Sequence, residues 1–183
     1  MTRHPRILLT TRRFRVETIE RTTAAGNTVQ REVVRHPGAV TILPLVDDDH
    51  VCLIRNYRVA VDRTLIELPA GTLEPGEDPR DTARRELAEE TGYHATRLEQ
   101  LHTFFLSPGI LDERIHLFLA SQLTPGTPQR EASEEIENLV VPWTQALQWV
   151  RQRKIEDAKT IVGLMYYEAV RESRGGEGMT KDG

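Results

Sequence analysis

Three glutamates, Glu86, Glu89 and Glu90, stand within five residues of one another in the stretch "GTLEPGEDPRDTARRELAEETGY", Gly71 to Tyr93. Like charges three and four apart on a helix repel by about 0.2–0.5 kcal/mol per pair. At 100° per residue the three carboxylates share an arc of about 100°, with Arg85 on its border. Ala83 and Leu87 fall on a neighbouring face and can anchor the helix to a core. A solvated acidic face is the usual account of such a charge run. Against it stands the repulsion, which only Arg84 and Arg85 are close enough to relieve. A cluster of hard oxygen donors is what Mg²⁺ or Mn²⁺ requires, and a bound cation turns that repulsion into attraction.

The flanking sequence predicts the element that must present these groups. Asp78 suits the N-cap, Pro79 the first helical position, and Asp81 adds favourable charge to the first turn. The helix is expected to run to Thr91 and stop at Gly92, a left-handed C-cap. Ahead of it "TLIELPAG" reads as a short strand running into a glycine- and proline-rich loop. Further upstream, "RRFRVETIER" and "NTVQREVVRH" predict a hairpin turning at Ala25-Gly26-Asn27, and "AVTILPLV" and "HVCLIRNYRVAV" a second apolar pair around "DDDH". Downstream, "RLEQLHTFFLS", "RIHLFLASQL" and "IENLVVPW" predict strands, the last two separated by the polar loop "TPGTPQREASEE". "TQALQWVRQR" and "DAKTIVGLMYYEAVRES" switch to helical periodicity, the latter aligning Ile161, Leu164, Met165 and Ala169. Trp149, Tyr166 and Tyr167 are read as packing residues. This order predicts an α+β domain, an α/β/α sandwich rather than a doubly wound sheet. Residues 1–38 are expected to form an N-terminal β segment, 39–173 the main domain that carries the acidic helix, and 174–183 a disordered tail.

At 183 residues the chain fits one domain with a small appendage, and a net charge of −4 gives no reason to expect nucleic acid as partner. The single cysteine, Cys52, lies in an apolar run and reads as a buried, inert thiol. No signal-like segment opens the sequence and no stretch approaches a membrane span, so the expectation is a cytoplasmic protein.

The spacing of the acidic stretch resembles a known motif. Gly71, five residues, Glu77, seven residues, then Arg85-Glu86-Leu87-Ala88-Glu89-Glu90-Thr91-Gly92-Tyr93 is similar to the Nudix box at every specified position. The resemblance implies a Nudix-type α/β/α sandwich that cleaves nucleoside diphosphates linked to another moiety, using two to three Mg²⁺ (or Mn²⁺) ions. It implies metal ligation by Glu86, Glu90 and Glu89, the last directly or through water, and by the carbonyl of Ala70, the residue before the box glycine. Gly71 would give the chain freedom to turn sharply there. Glu77 and Arg85 are similar to the family's structural ion pair tying loop to helix. The metals would neutralise the pyrophosphate, acidify a water and stabilise the leaving phosphate. The general base is expected on the "TPQREASEEIEN" loop, with Glu134 favoured over Glu131 and Glu135.

Features outside the box are similar to the ADP-ribose pyrophosphatase branch. "LSPGILDE" puts Pro108 sixteen residues after Gly92, and "LIRNYR" precedes "IELPAG". The resemblance implies that Arg55 and Arg58 hold phosphate or ribose, that Glu113 contacts a ribose hydroxyl, and that Phe14 helps grip adenine. It implies a homodimer built by exchange of the N-terminal β segment, since an isolated hairpin is marginal in water. The expected reaction is conversion of ADP-ribose to AMP and ribose 5-phosphate. The alternatives are NADH, FAD, a nucleotide sugar or a dinucleoside polyphosphate as substrate, or a non-catalytic ligand sensor.

Overall fold

The strand that organises the molecule, β4 (Ala39–Pro44), is buried at all six positions, as its unbroken apolar run requires of a central strand. A computed structural model describes residues 5–130 and 135–175. In it β4 lies between β7 (Ala70–Thr72) and β9 (Arg114–Pro125), and β8 (Tyr93–Phe105) closes the four-stranded sheet in the order β7-β4-β9-β8. Only the β4–β9 pairing is parallel. A second sheet orders β10 (Ile136–Pro142), β5 (His50–Arg58) and β6 (Arg63–Glu67), all antiparallel. The N-terminal sheet is β1 (Arg6–Thr10), β2 (Arg15–Thr22) and β3 (Thr28–Arg35).

Helix α1 (Pro79–Thr91) covers one face of the four-stranded sheet, where Ala83 and Leu87 meet Val40, Ile42, Leu98, Phe118 and Ala120. The alternate residues Leu43 and Leu119 face the other way, into a core shared with the second sheet, α2 (Trp143–Arg151) and α3 (Ala158–Gly175). Fully burying a side chain such as Leu87 contributes about 1.5–3 kcal/mol, so this contact fixes the helix against the sheet. The expected α+β sandwich with an added N-terminal β element is the fold observed.

Several expectations need correction. "TLIELPAG" is not one strand: it breaks at Leu68-Pro69, leaving β6 in one sheet and β7 in another. The pair around "DDDH" likewise divides between sheets, joined by the single Leu45–Val51 bridge. The N-terminal hairpin has a third strand, β1, whose apolar Ile7, Leu8 and Leu9 all remain exposed. On α3 the buried line passes through Thr160, Gly163 and Leu164, with Ile161 and Tyr167 packed beside it. Met165 and Ala169 face out, because close contact with Leu68 and Leu117 turns the Gly163 side of the helix inward. Cys52 is fully buried, and burial pushes its thiol up to about 12, which makes it inert as expected. Among the described residues no helix is long and apolar enough to cross a membrane.

Candidate active site

Helix α1 begins and ends where its sequence dictates. The Asp78 carboxylate accepts from the Arg80 N–H at 2.8 Å, and Gly92 adopts φ 78° and donates to the Ala88 carbonyl. A cap of the Asp78 kind is worth about 1 kcal/mol. The remaining C-terminal carbonyls are satisfied from far along the chain. Gln129 N–H donates to the Glu89 carbonyl at 2.9 Å, Arg130 Nε to that of Glu90 at 2.9 Å, and Asn138 Nδ2 to that of Thr91 at 2.7 Å. Arg130 also reaches the Asn138 side chain at 2.7 Å. The polar loop after β9 and the start of β10 therefore clamp the end of the carboxylate helix. No local signal marked these three residues, since their role is created by the fold.

The three glutamates occupy different environments. Glu90 is only 3% exposed, and its carboxylate accepts from the Ala70 N–H at 3.0 Å. Glu86 lies against Gly71, so close that a β-carbon there would stand 1.9 Å from Glu86 Cδ. Glu89 is the most open of the three. Arg85 relieves the crowding: its Nη1 donates to Glu86 at 2.7 Å and to Glu89 at 3.1 Å, while Nε and Nη2 grip Glu77 at 3.1 Å each. The Arg85 guanidinium holds the Glu77 carboxyl below its usual range, and Glu77 raises Arg85 further above its own. The loop–helix pair is thus formed, and Arg85 also links two of the expected metal ligands.

Gly71 is a glycine for a reason other than the one expected. It lies within β7 and is absent from the residues of positive φ, so no special turn is needed there. What it provides is the space that Glu86 fills.

The surrounding residues separate into those that the fold brings to the carboxylates and those that it does not. Arg58 lies at the end of β5, where Glu90 contributes to its raised pKa behind the dominant effect of Glu67. Its Nε and Nη2 pair with Glu67 at 2.8 and 2.6 Å. Arg55, three residues earlier, projects from the opposite face of the strand and pairs with Glu137 at 3.3 Å. Glu113 stands at the sheet end that carries Thr72 and Ile115, half-buried with His36 at 3.6 Å. Pro108 is exposed in a turn whose neighbours Ile110 and Asp112 hydrogen-bond to Val34 of the N-terminal sheet. Phe14 is exposed in the β1–β2 turn, at the end of that sheet nearest Arg35. Glu135 is exposed, its carbonyl accepting from Tyr57 N–H at 3.4 Å, whereas Glu131 and Glu134 lie outside the described residues.

Glu86, Glu89 and Glu90 beside Ala70 form a set of hard oxygen donors on one side of α1, which fits a hard divalent cation. Among the described residues no three acidic, histidine or cysteine side chains stand close enough together to hold a metal ion as they are placed, so the glutamates would have to draw together around one. The NUDIX domain profile matches residues 35–162. The chain belongs to the Nudix family. Nudix enzymes work with divalent metal ions, in keeping with the donors gathered here. Among curated relatives, the chain is 41% identical over 145 residues to the ADP-ribose pyrophosphatase of Bacillus subtilis (strain 168), covering 78% of each. It is 39% identical over 145 residues to the methanol dehydrogenase activator of Bacillus methanolicus, again 78% of each. A crystal structure of an ADP compounds hydrolase superposes with a TM-score of 0.76 at 28% identity, covering 96% of this chain and 97% of that one. The Nudix match begins at β3's last residue, so β1 and β2 lie outside it.

Proposed function

We propose that this Nudix protein hydrolyses the pyrophosphate bond of ADP-ribose, giving AMP and ribose 5-phosphate, with Mg²⁺ as the metal. The observation that carries the reading is the seating of Glu86 on Gly71 and of Glu90 on the Ala70 N–H, which gathers the donors at one corner. The 41% identity to a protein named ADP-ribose pyrophosphatase supports the choice of substrate.

Glu86, Glu90 and the Ala70 carbonyl would hold the metal, with Glu89 at the open edge, two to three ions in all. Bound there, Mg²⁺ or Mn²⁺ would offset the charge of the bridging phosphates and lower the pKa of a water. The chain's own residues do the rest. Arg58 presents a guanidinium whose Nη1 makes no hydrogen bond among the described residues, leaving it for a phosphate oxygen. Glu134 is the proposed general base, with Glu131 and Glu135 as alternatives. The described ends of that loop support the region: Arg130 lies on the Glu90 carbonyl, and Glu135 beside Tyr57. Water adds to one phosphorus, the bridging P–O bond breaks, and the base takes the proton.

The N-terminal β segment, residues 1–38, is proposed as the dimerisation element of a homodimer. The outward row Ile7, Leu8 and Leu9 supports it, as does Ile110, exposed on the turn bonded to that sheet. The test of function is product release from ADP-ribose, NADH, FAD, GDP-mannose and diadenosine tetraphosphate, with Mg²⁺ and with chelator. Preferred, chelator-sensitive release of AMP from ADP-ribose is expected. Preference for another member of the panel would refute the substrate, and chelator-resistant turnover would refute the metal.

A further inference from the structure

Helix α3 opens with a group of charged residues that capping alone does not require. Asp157 is the cap: its Oδ2 accepts from the Thr160 N–H at 2.9 Å and the Thr160 hydroxyl at 2.5 Å. Lys159 is different. A cation in the first turn of a helix opposes the macrodipole, and lysine is among the residues least often buried. Yet the Lys159 side chain is only 12% exposed, with its ammonium 2.6 Å from Glu67 and 2.8 Å from Asp157. The macrodipole alone would favour an acidic or neutral residue there.

The partners of this cluster indicate its use. Glu67 is 1% exposed, and its Oε2 accepts from Lys159 and from Arg58, each at 2.6 Å, while Oε1 accepts from Arg58 Nε at 2.8 Å. Burial pushes the Glu67 carboxyl up, but the two cations outweigh it and hold the group ionised. A buried carboxylate with two donors on one oxygen cannot rotate without stranding a charge, so the Arg58 plane is set by Glu67. The next residue is held as well: the Leu68 N–H donates to the Thr160 hydroxyl at 2.7 Å. The Pro69 carbonyl then accepts from the Ile42 N–H at 2.9 Å, and the Ala70 N–H bonds Glu90. The corner between β6 and β7 is thus fixed residue by residue, Glu67 and Leu68 from the start of α3, Pro69 from β4 and Ala70 from α1.

We infer that Asp157, Lys159 and Thr160 are positioning residues for the active site: Lys159, through Glu67, aims the Arg58 guanidinium at the diphosphate of the substrate, and Thr160 sets the chain that leads to Ala70. The inference rests on the proposed function in taking a diphosphate as ligand, though it does not depend on which one. Lys159 touches no substrate in this scheme. It acts by keeping Glu67 in place.

The test is binding in chelator, where no turnover occurs, with ADP-ribose and inorganic pyrophosphate as probes for the full chain. Lys159→Met is expected to raise the Kd for pyrophosphate about tenfold, as expected for one misaligned charge-assisted contact. Arg58→Gln should do the same, and the double variant should be no weaker than Arg58→Gln alone, because Lys159 acts through Arg58. Lys159→Arg should recover most of the loss. Asp157→Asn, which loosens Lys159 while leaving Glu67 its two cations, should give about a threefold loss and keeps the test open if Lys159→Met does not fold. Additive effects of Lys159→Met and Arg58→Gln, or unchanged Kd in Lys159→Met and Asp157→Asn, would overturn the positioning role. Wild type that binds pyrophosphate but not ADP-ribose would refute the substrate and leave the positioning result intact. Wild type that binds neither probe, in chelator or with Ca²⁺ in place of Mg²⁺, would overturn both.

Discussion

Replacing Gly71 by alanine separates the needs of the fold from those of the site. The new β-carbon would stand 1.9 Å from Glu86 Cδ, 2.0 Å from Oε1 and 2.3 Å from Cγ, where ordinary contact begins at 3.4 Å. Glu86 must therefore withdraw by about 1.5 Å, the gap between the present and the ordinary distance. The obstruction is one flexible side chain rather than backbone, and Gly71 is not in the left-handed region, so alanine is conformationally acceptable. The Arg85–Glu86 bond is weakened, but Arg85 keeps Glu77 and Glu89 and is a third exposed, so the loss is small after solvent screening. We expect stability within about 1 kcal/mol of wild type, a Tm shift of no more than roughly 2–4 °C. Activity should respond far more strongly, because a displacement of about 1 Å at a reacting centre can cost about 10²-fold in rate. The assay pairs AMP release from ADP-ribose across a Mg²⁺ titration with a thermal melt followed by circular dichroism. Expected are a loss of about 10²–10³ in kcat/KM, a raised Mg²⁺ requirement and a near-normal melt. A variant that turns over like wild type would refute the claim that Glu86 works from its seat on Gly71. One that melts early with normal activity per folded molecule would assign the glycine to the fold.

Glu90→Gln should abolish chelator-sensitive turnover while the protein still folds, since an amide oxygen can still accept from Ala70 N–H; turnover near wild type would exclude Glu90 as a ligand. Glu134→Gln is expected to lower kcat by about 10²–10⁴, and a larger loss in Glu131→Gln or Glu135→Gln would transfer the base role to that residue. Gly92→Ala should cost about 2–4 kcal/mol in urea unfolding, because it combines positive φ with a β-carbon 2.6 Å from the Gly126 carbonyl oxygen; a smaller cost would mean that the 126–130 loop yields easily. Glu77 and Glu67 both have depressed folded pKa values, so their stabilisation is complete above the unfolded glutamate value of about 4.3 and is lost as pH falls through the folded values. Acid melts should therefore show steep destabilisation below about pH 4, and Glu77→Gln should flatten part of that slope.

The sequence by itself determined what is local. The limits of α1 follow from Asp78, Pro79 and Gly92, because caps act within a turn of the residues that form them. The shared side of the carboxylates follows from helical period, and the burial of Cys52 from its apolar run. The box spacing was enough to indicate the family, and the order of elements the α+β class. Tertiary structure decided whatever depends on partners distant in sequence. Glu90 is buried because β7 passes over it, and Gly71 is required by the approach of a side chain fifteen positions away. The clamp of Gln129, Arg130 and Asn138 on α1, and that of Lys159 on Glu67, join segments with no common periodicity. Arg55 and Arg58 look equivalent in the string "LIRNYR", yet an odd separation on a strand sends them to opposite faces, and only packing decides which face meets the carboxylates. Period and capping are short-range forces written residue by residue. Which surfaces they bring together is fixed only when the sheets have formed and the helices have found their faces.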